Sequence, residues 1–299
     1  MDPAAPGVPA GLVAAWVALV GGVVGSFLNV VIARVPAGES IVSPGSRCPR
    51  CRTPIAWYDN VPVVSWLALR ARCRSCGVRI SARYPLVEAL VAGVALLAWA
   101  RHGLAVAALG ELVLVSLLVA LAFIDLDTWL LPHALTWPLI ATGLAVSAAG
   151  LGPATLQGAA IGAAVGFGAF ALVSVVGEKV LRKEALGFGD VWLLSGIGAW
   201  MGVAALLPVV LLASVQGSVV GLVLLALGKG QPGPGQPAEA AGPPAAAVPG
   251  DPAALASADD WIPPRNAVPF GPFLAAGALE WLYLGDLIVR GVPSLGIFR

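Results

Sequence analysis

The sequence predicts an all-α polytopic membrane protein, with about eight transmembrane helices and a cytoplasmic zinc-binding loop after the first. Three observations predict it. The 299-residue chain is 59% hydrophobic and only 11% charged, whereas soluble domains carry about 25% charge. Its apolar residues gather in runs long enough to span a bilayer. Its four cysteines form two C-x-x-C pairs inside the one long arginine-rich stretch. A net charge of +1 gives no footing for nucleic-acid binding.

The apolar runs cover residues 11–32, 84–100, 104–124, 133–150, 155–177, 190–206, 208–227 and 267–289. Asp2 is the only charge before Arg34, and no A-x-A site follows the first run. That run therefore reads as a retained helix rather than a cleaved signal peptide. The boundary at Leu207-Pro208 carries the least support, because one long kinked helix would reverse everything after it. Glycines such as Gly158, Gly162, Gly166 and Gly168 suit small-residue helix packing, and Trp129 and Trp200 suit an interfacial belt.

Orientation follows from the positive-inside rule. Residues 34–83 hold nine arginines against Glu39 and Asp59, so this segment is cytoplasmic and the N-terminus lies outside. Counting spans puts Arg101-His102-Gly103 outside, and both the 125–132 turn and the basic 178–184 hinge inside. His102 and His133 are the only histidines, and neither has metal-ligand spacing to another. Residues 228–266 are rich in Gly, Pro and Ala, with few large apolar side chains, and read as a disordered or extended linker. The domain reading is a first transmembrane helix (1–33), the cysteine loop (34–83), a transmembrane core (84–227), the linker, and a last transmembrane helix with its tail (267–299).

Cys48, Cys51, Cys73 and Cys76 give C-x₂-C, 21 intervening residues, then C-x₂-C. Four thiolates at this spacing suit a tetrahedral structural Zn²⁺. The rival is two disulfides or free thiols, and disulfides are rare in a reducing cytoplasm.

Two acids stand where predicted spans meet the cytoplasmic face: Asp125 ends the 104–124 run, and Asp190 opens the 190–206 run behind Gly187-Phe188-Gly189. An ionisable residue in such a place is a functional hypothesis. Two carboxyls that share one proton can hold a water and hydrolyse a peptide bond. Asp127 competes with Asp125, since residues two apart on a helix point differently and only one can face Asp190. The same acids can equally cap helices. A proton- or cation-coupled transporter would instead place acids near mid-span within inverted repeats, and neither pattern is visible.

Phe123 to Pro132 (FIDLDTWLLP), joined to Gly187-Phe188-Gly189-Asp190, resembles the type IV prepilin peptidases, which are GxGD-type aspartyl proteases. The likeness extends to Gly25-Ser26-Phe27-Leu28-Asn29, Trp57-Tyr58-Asp59-Asn60, Arg83-Tyr84-Pro85-Leu86-Val87-Glu88 and Pro269-Phe270-Gly271-Pro272. It implies that Asp125 rather than Asp127 pairs with Asp190 as the catalytic dyad, with Gly187 and Gly189 forming the active-site loop. It implies prepilin and pseudopilin precursors as substrates, a bacterial inner-membrane location, and a catalytic site on the cytoplasmic face. The cysteine loop resembles that of bifunctional members, which methylate the new N-terminus with S-adenosyl-L-methionine. Glu88 and residues 57–60 are candidates for that step only by their nearness to the loop. A peptidase lacking the second activity is the alternative. The chain departs from the family pattern twice: Trp192 stands where lysine is usual, and His133 where Asp or Asn is common.

Overall fold

The structure is a computed structural model, and it describes residues 8–181, 187–227 and 268–298. Among them, helices form at all eight predicted places. In order they are α1 (Ala10–Arg34), the short α2 (Val64–Ala68) within the loop, α3 (Arg83–His102), α4 (Val106–Thr128), α5 (His133–Ala148), α6 (Leu156–Leu181), α7 (Phe188–Met201), α8 (Val203–Ala226) and α9 (Gly271–Gly291). The 228–266 linker and residues 182–184 of the basic hinge lie outside the described residues.

Six of these helices are long and apolar enough to cross a membrane. The chain is a multi-pass membrane protein, but among the described residues a count of eight full spans is not reached. Helices α5 and α7 have 16 and 14 residues. At about 1.5 Å per residue they are roughly 24 and 21 Å long, short of a hydrocarbon core of about 30 Å. The break after α7 is also corrected. It falls at Gly202, whose φ of +79° suits glycine, and Pro208 sits inside α8. Pro208 is the sixth residue of α8, beyond the first turn, so it leaves the Ala204 carbonyl without its helical N–H but does not end the helix.

Among the described residues, two main cores hold the bundle. Leu118, Leu121, Leu139, Leu194, Ile197 and Leu274 pack together from α4, α5, α7 and α9. Val31, Val87, Val91, Val115 and Ile124 join α1, α3 and α4. The outer surface stays apolar at helical spacing: Leu12, Trp16, Leu19, Val23 and Phe27 line one exposed stripe of α1. Such a stripe on an otherwise packed helix is a lipid face. Trp200 is not an interfacial residue, however. It is 2% exposed, and its indole N–H donates to the Leu139 carbonyl at 2.9 Å. An indole can be buried in this way because its one donor has found a partner.

Candidate active site and metal centre

Asp125 lies in the last turn of α4 and Asp190 in the first turn of α7. Both are buried, at 5% and 7% exposure. Asp125 Oδ2 accepts the backbone N–H of Gly271, at the start of α9, at 3.0 Å. Asp190 Oδ1 is buried with no hydrogen-bond partner among the described residues.

Leu131 fills the space between these elements. A Cβ on Gly189 would come within 2.8 Å of the Leu131 Cβ, and one on Gly271 within 3.4 Å of its Cδ1. Gly189 is therefore required by close approach rather than by an unusual backbone angle. Gly187 is required by neither: its φ is −62°, and a Cβ there would make only an ordinary 3.5 Å contact with Asp190.

The competitor, Asp127, points elsewhere. It is exposed and pairs with Arg83, whose guanidinium lies 4.9 Å from the centre of the Phe123 ring. The two departures from the family pattern meet each other. The His133 and Trp192 rings stand edge-on at 5.4 Å, and Phe167 stacks edge-on against Trp192 at 4.9 Å. Residues two apart face different sides of a helix, so Trp192 lines the side of α7 turned from Asp190.

Sequence reasoning did not single out Gly271 or Glu111. Gly271 was visible as part of Pro269-Phe270-Gly271-Pro272, but nothing in that motif says where its amide points. Glu111 is a buried carboxylate on α4 that accepts from Tyr283 Oη at 2.7 Å and meets His102 Nε2 at 2.9 Å. Arg101 Nη1 lies 3.7 Å from it. His102 is thus the partner of an acid.

The cysteine loop folds as two similar knuckles. Each C-x-x-C sits in a turn closed by an isolated antiparallel bridge, Arg47 to Pro54 and Arg72 to Arg79. In each, the residue after the second cysteine is left-handed: Arg52 at φ +56° and Gly77 at φ +68°. All four Sγ atoms lie within 4.8 Å of one another, with Cys48–Cys76 at 3.8 Å and Cys51–Cys73 at 4.0 Å. A tetrahedron of bonds of about 2.3 Å has edges of about 3.8 Å, so these sulfurs fit a Cys₄ metal. They are far too separated for the bonds of about 2.05 Å in disulfides. Burial pushes the Cys48 thiol up to about 11. The Thr53 hydroxyl, 3.3 Å from Cys51, holds that thiol down to about 6.

The loop is fastened to the bundle by Glu88 on α3, whose Oε2 accepts the Val63 N–H at 2.7 Å. One oxygen of Glu88 thereby serves as an anchor. Nearby, Trp57 and Tyr58 pack edge-on at 5.7 Å, and Arg74 forms a two-pronged pair with Asp59.

Residues 19–102 match the model of the bacterial peptidase A24 N-terminal domain, and residues 112–222 that of the type IV leader peptidase family. A Myxococcus xanthus protein described as a prepilin leader peptidase/N-methyltransferase is 52% identical over 229 residues, covering 77% of this chain and 68% of that protein. One of the same description from Neisseria gonorrhoeae is 40% identical, covering 69% and 80%. An Escherichia coli O78:H11 type 4 prepilin-like proteins leader peptide-processing enzyme is 42% identical, covering 69% and 84%. No solved structure matches the chain.

Proposed function

Since this chain belongs to the type IV leader peptidase family, we propose that it cuts the leader from type IV prepilins and secretion pseudopilins. Asp125 and Asp190 act as the dyad. One observation carries the reading: acids 65 positions apart in sequence are both buried, at the ends of α4 and α7 that meet around Leu131, and neither is paired with a cation among the described residues. The nearby Asp127 is already taken by Arg83.

In this reading the two carboxyls share one proton and hold a water between them. The ionised member removes a proton from the water as its oxygen attacks the scissile carbonyl carbon. The protonated member donates to the carbonyl oxygen. Collapse of the tetrahedral intermediate breaks the C–N bond, and the amine leaves with a proton returned from the dyad. The site sits at the ends of α4 and α7 rather than at mid-span, which suits a substrate whose helix stays in lipid while its leader extends into the cytosol. A glycine before the scissile bond makes local unwinding cheap. The arginine-rich loop on the same side supports a cytoplasmic orientation in the bacterial inner membrane.

Cys48, Cys51, Cys73 and Cys76 would hold Zn²⁺. With four thiolates and no open position its role is structural, replacing the core that so small a loop lacks. N-methylation of the product with S-adenosyl-L-methionine rests on the descriptions of the relatives. Glu88 and residues 57–60 are the candidates for that step by their nearness to the loop, with one Glu88 oxygen taken by Val63 and both Asp59 oxygens by Arg74.

The test pairs the protein with a precursor pilin. Asp125→Asn and Asp190→Asn should each abolish cleavage while inserting normally, and Asp127→Asn should retain it. Full cleavage by either of the first two removes that residue from the dyad. Intact mass of the product decides methylation: an unmethylated N-terminus under saturating donor leaves a peptidase alone.

A further inference from the structure

The dyad has unequal surroundings, and α9 makes them so. Gly271 is the first residue of α9, and the N-cap residue, Phe270, offers that helix end no side-chain cap. The first amides of a helix have no partner within it, and together they form its positive end. Here one of them is satisfied by an acid 146 positions earlier, in a buried contact. Asp190, by contrast, keeps Oδ1 unpartnered at 7% exposure.

The far half of α9 is fixed as well. Tyr283 donates to Glu111 at 2.7 Å, and Arg101 Nη1 donates to the Leu282 carbonyl at 3.1 Å. These contacts bind α9 to α4 and to the end of α3, so its N-terminus cannot drift independently of the helix that carries Asp125. There is also no room for another residue at 271. A Cβ there would stand 2.6 Å from Asp125 Oδ2 and 3.2 Å from its Cγ.

We propose that Gly271 is a positioning residue of the dyad: its backbone N–H fixes one oxygen of Asp125, so that the carboxylate presents the other to the water and Asp190 alone remains free to engage the scissile carbonyl. The role belongs to the amide, not to a side chain, and glycine is there because any Cβ would displace the carboxylate. This inference rests on the dyad assigned above.

The amide can be removed without adding bulk. The full chain is made with an ester in place of the peptide bond before residue 271, by incorporating the α-hydroxy analogue of glycine, and is reconstituted with a precursor pilin. The same replacement at Gly277, inside α9, controls for general weakening of that helix. The ester at 271 should lower kcat roughly ten- to a hundredfold. KM, and the affinity for a precursor with a non-cleavable bond, should stay at the unmodified values. Gly271→Ala should lower kcat at least as far. Undiminished kcat in the 271 ester overturns the proposal. So does an equal fall in the 277 control, or a loss that appears in binding instead of turnover. Retained cleavage by Asp125→Asn would be a separate failure, that of the dyad itself.

Discussion

His133 and Trp192 touch edge-on at 5.4 Å, so the two positions at which this chain departs from its family's pattern form a single contact. An ammonium at 192 facing an acid at 133 would fill the same place with charge; here it is filled by rings. Trp192→Lys alone should destabilise the protein, because it buries an ammonium among aromatic neighbours. Trp192→Lys combined with His133→Asp should recover much of that loss. Thermal unfolding of the four proteins in one detergent measures the coupling, expected at about 1 kcal/mol. Purely additive effects would show that the two positions are independent.

The two glycines of the Gly-Phe-Gly-Asp turn should respond differently. Gly187→Ala should leave cleavage within a few-fold of normal, since its backbone is extended and its surroundings are open. Gly189→Ala should abolish cleavage, because its methyl would collide with Leu131. Adding Leu131→Gly, which removes the Cβ as well as the rest of that side chain, should restore part of the activity. Equal sensitivity at both positions in a precursor-cleavage assay would refute this account.

Zinc uptake should release protons unequally from the four thiols. Cys48, pushed up to about 11 by burial, must surrender its proton at pH 7; Cys51, held down to about 6 by Thr53, is already largely thiolate. Proton release on metal addition in weak buffer should therefore rise when Thr53→Val returns Cys51 towards its ordinary value. The metal-free loop follows the same signs. The contribution from Cys51 is present above its ordinary thiol range and is lost as pH falls through about 6. That from Cys48 is present below the ordinary range and is lost as pH climbs through about 11.

Arg52 occupies the left-handed position that Gly77 occupies in the other knuckle. A side chain there costs about 1 kcal/mol, which glycine avoids. Arg52→Gly should strengthen metal retention against a competing chelator, and weaker retention would count against the pairing of the two knuckles.

Tyr283→Phe leaves the buried Glu111 without its shortest hydrogen bond. The cost should be about 1–3 kcal/mol, read as earlier thermal unfolding. Glu111→Gln should cost less than Glu111→Leu, which leaves the Tyr283 hydroxyl and His102 without an acceptor.

Much of this was legible in the residues. Run lengths located every long helix, and the cysteine spacing anticipated sulfurs at metal-bridging separations. The choice of Asp125 over Asp127 came from the resemblance, and the engagement of Asp127 by Arg83 supplies a physical reason for it. What was hidden depended on contacts distant in sequence. Hydropathy distinguishes poorly between a short buried helix such as α7 and a full span, because both are apolar throughout. The break falls at Gly202 although Pro208 gives the louder local signal, because a helix held by its neighbours can continue through a proline at the loss of one backbone hydrogen bond. Trp200 was misplaced because an indole near a run's end gives no hint of a carbonyl on another helix. A backbone amide such as that of Gly271 has no side-chain signature at all.

The amide that holds Asp125 comes from a segment translated 146 residues after that acid. A growing chain can therefore carry both aspartates into the bilayer well before α9 arrives to complete their surroundings. The surroundings of Asp125 are therefore finished only once this late helix has packed against α4.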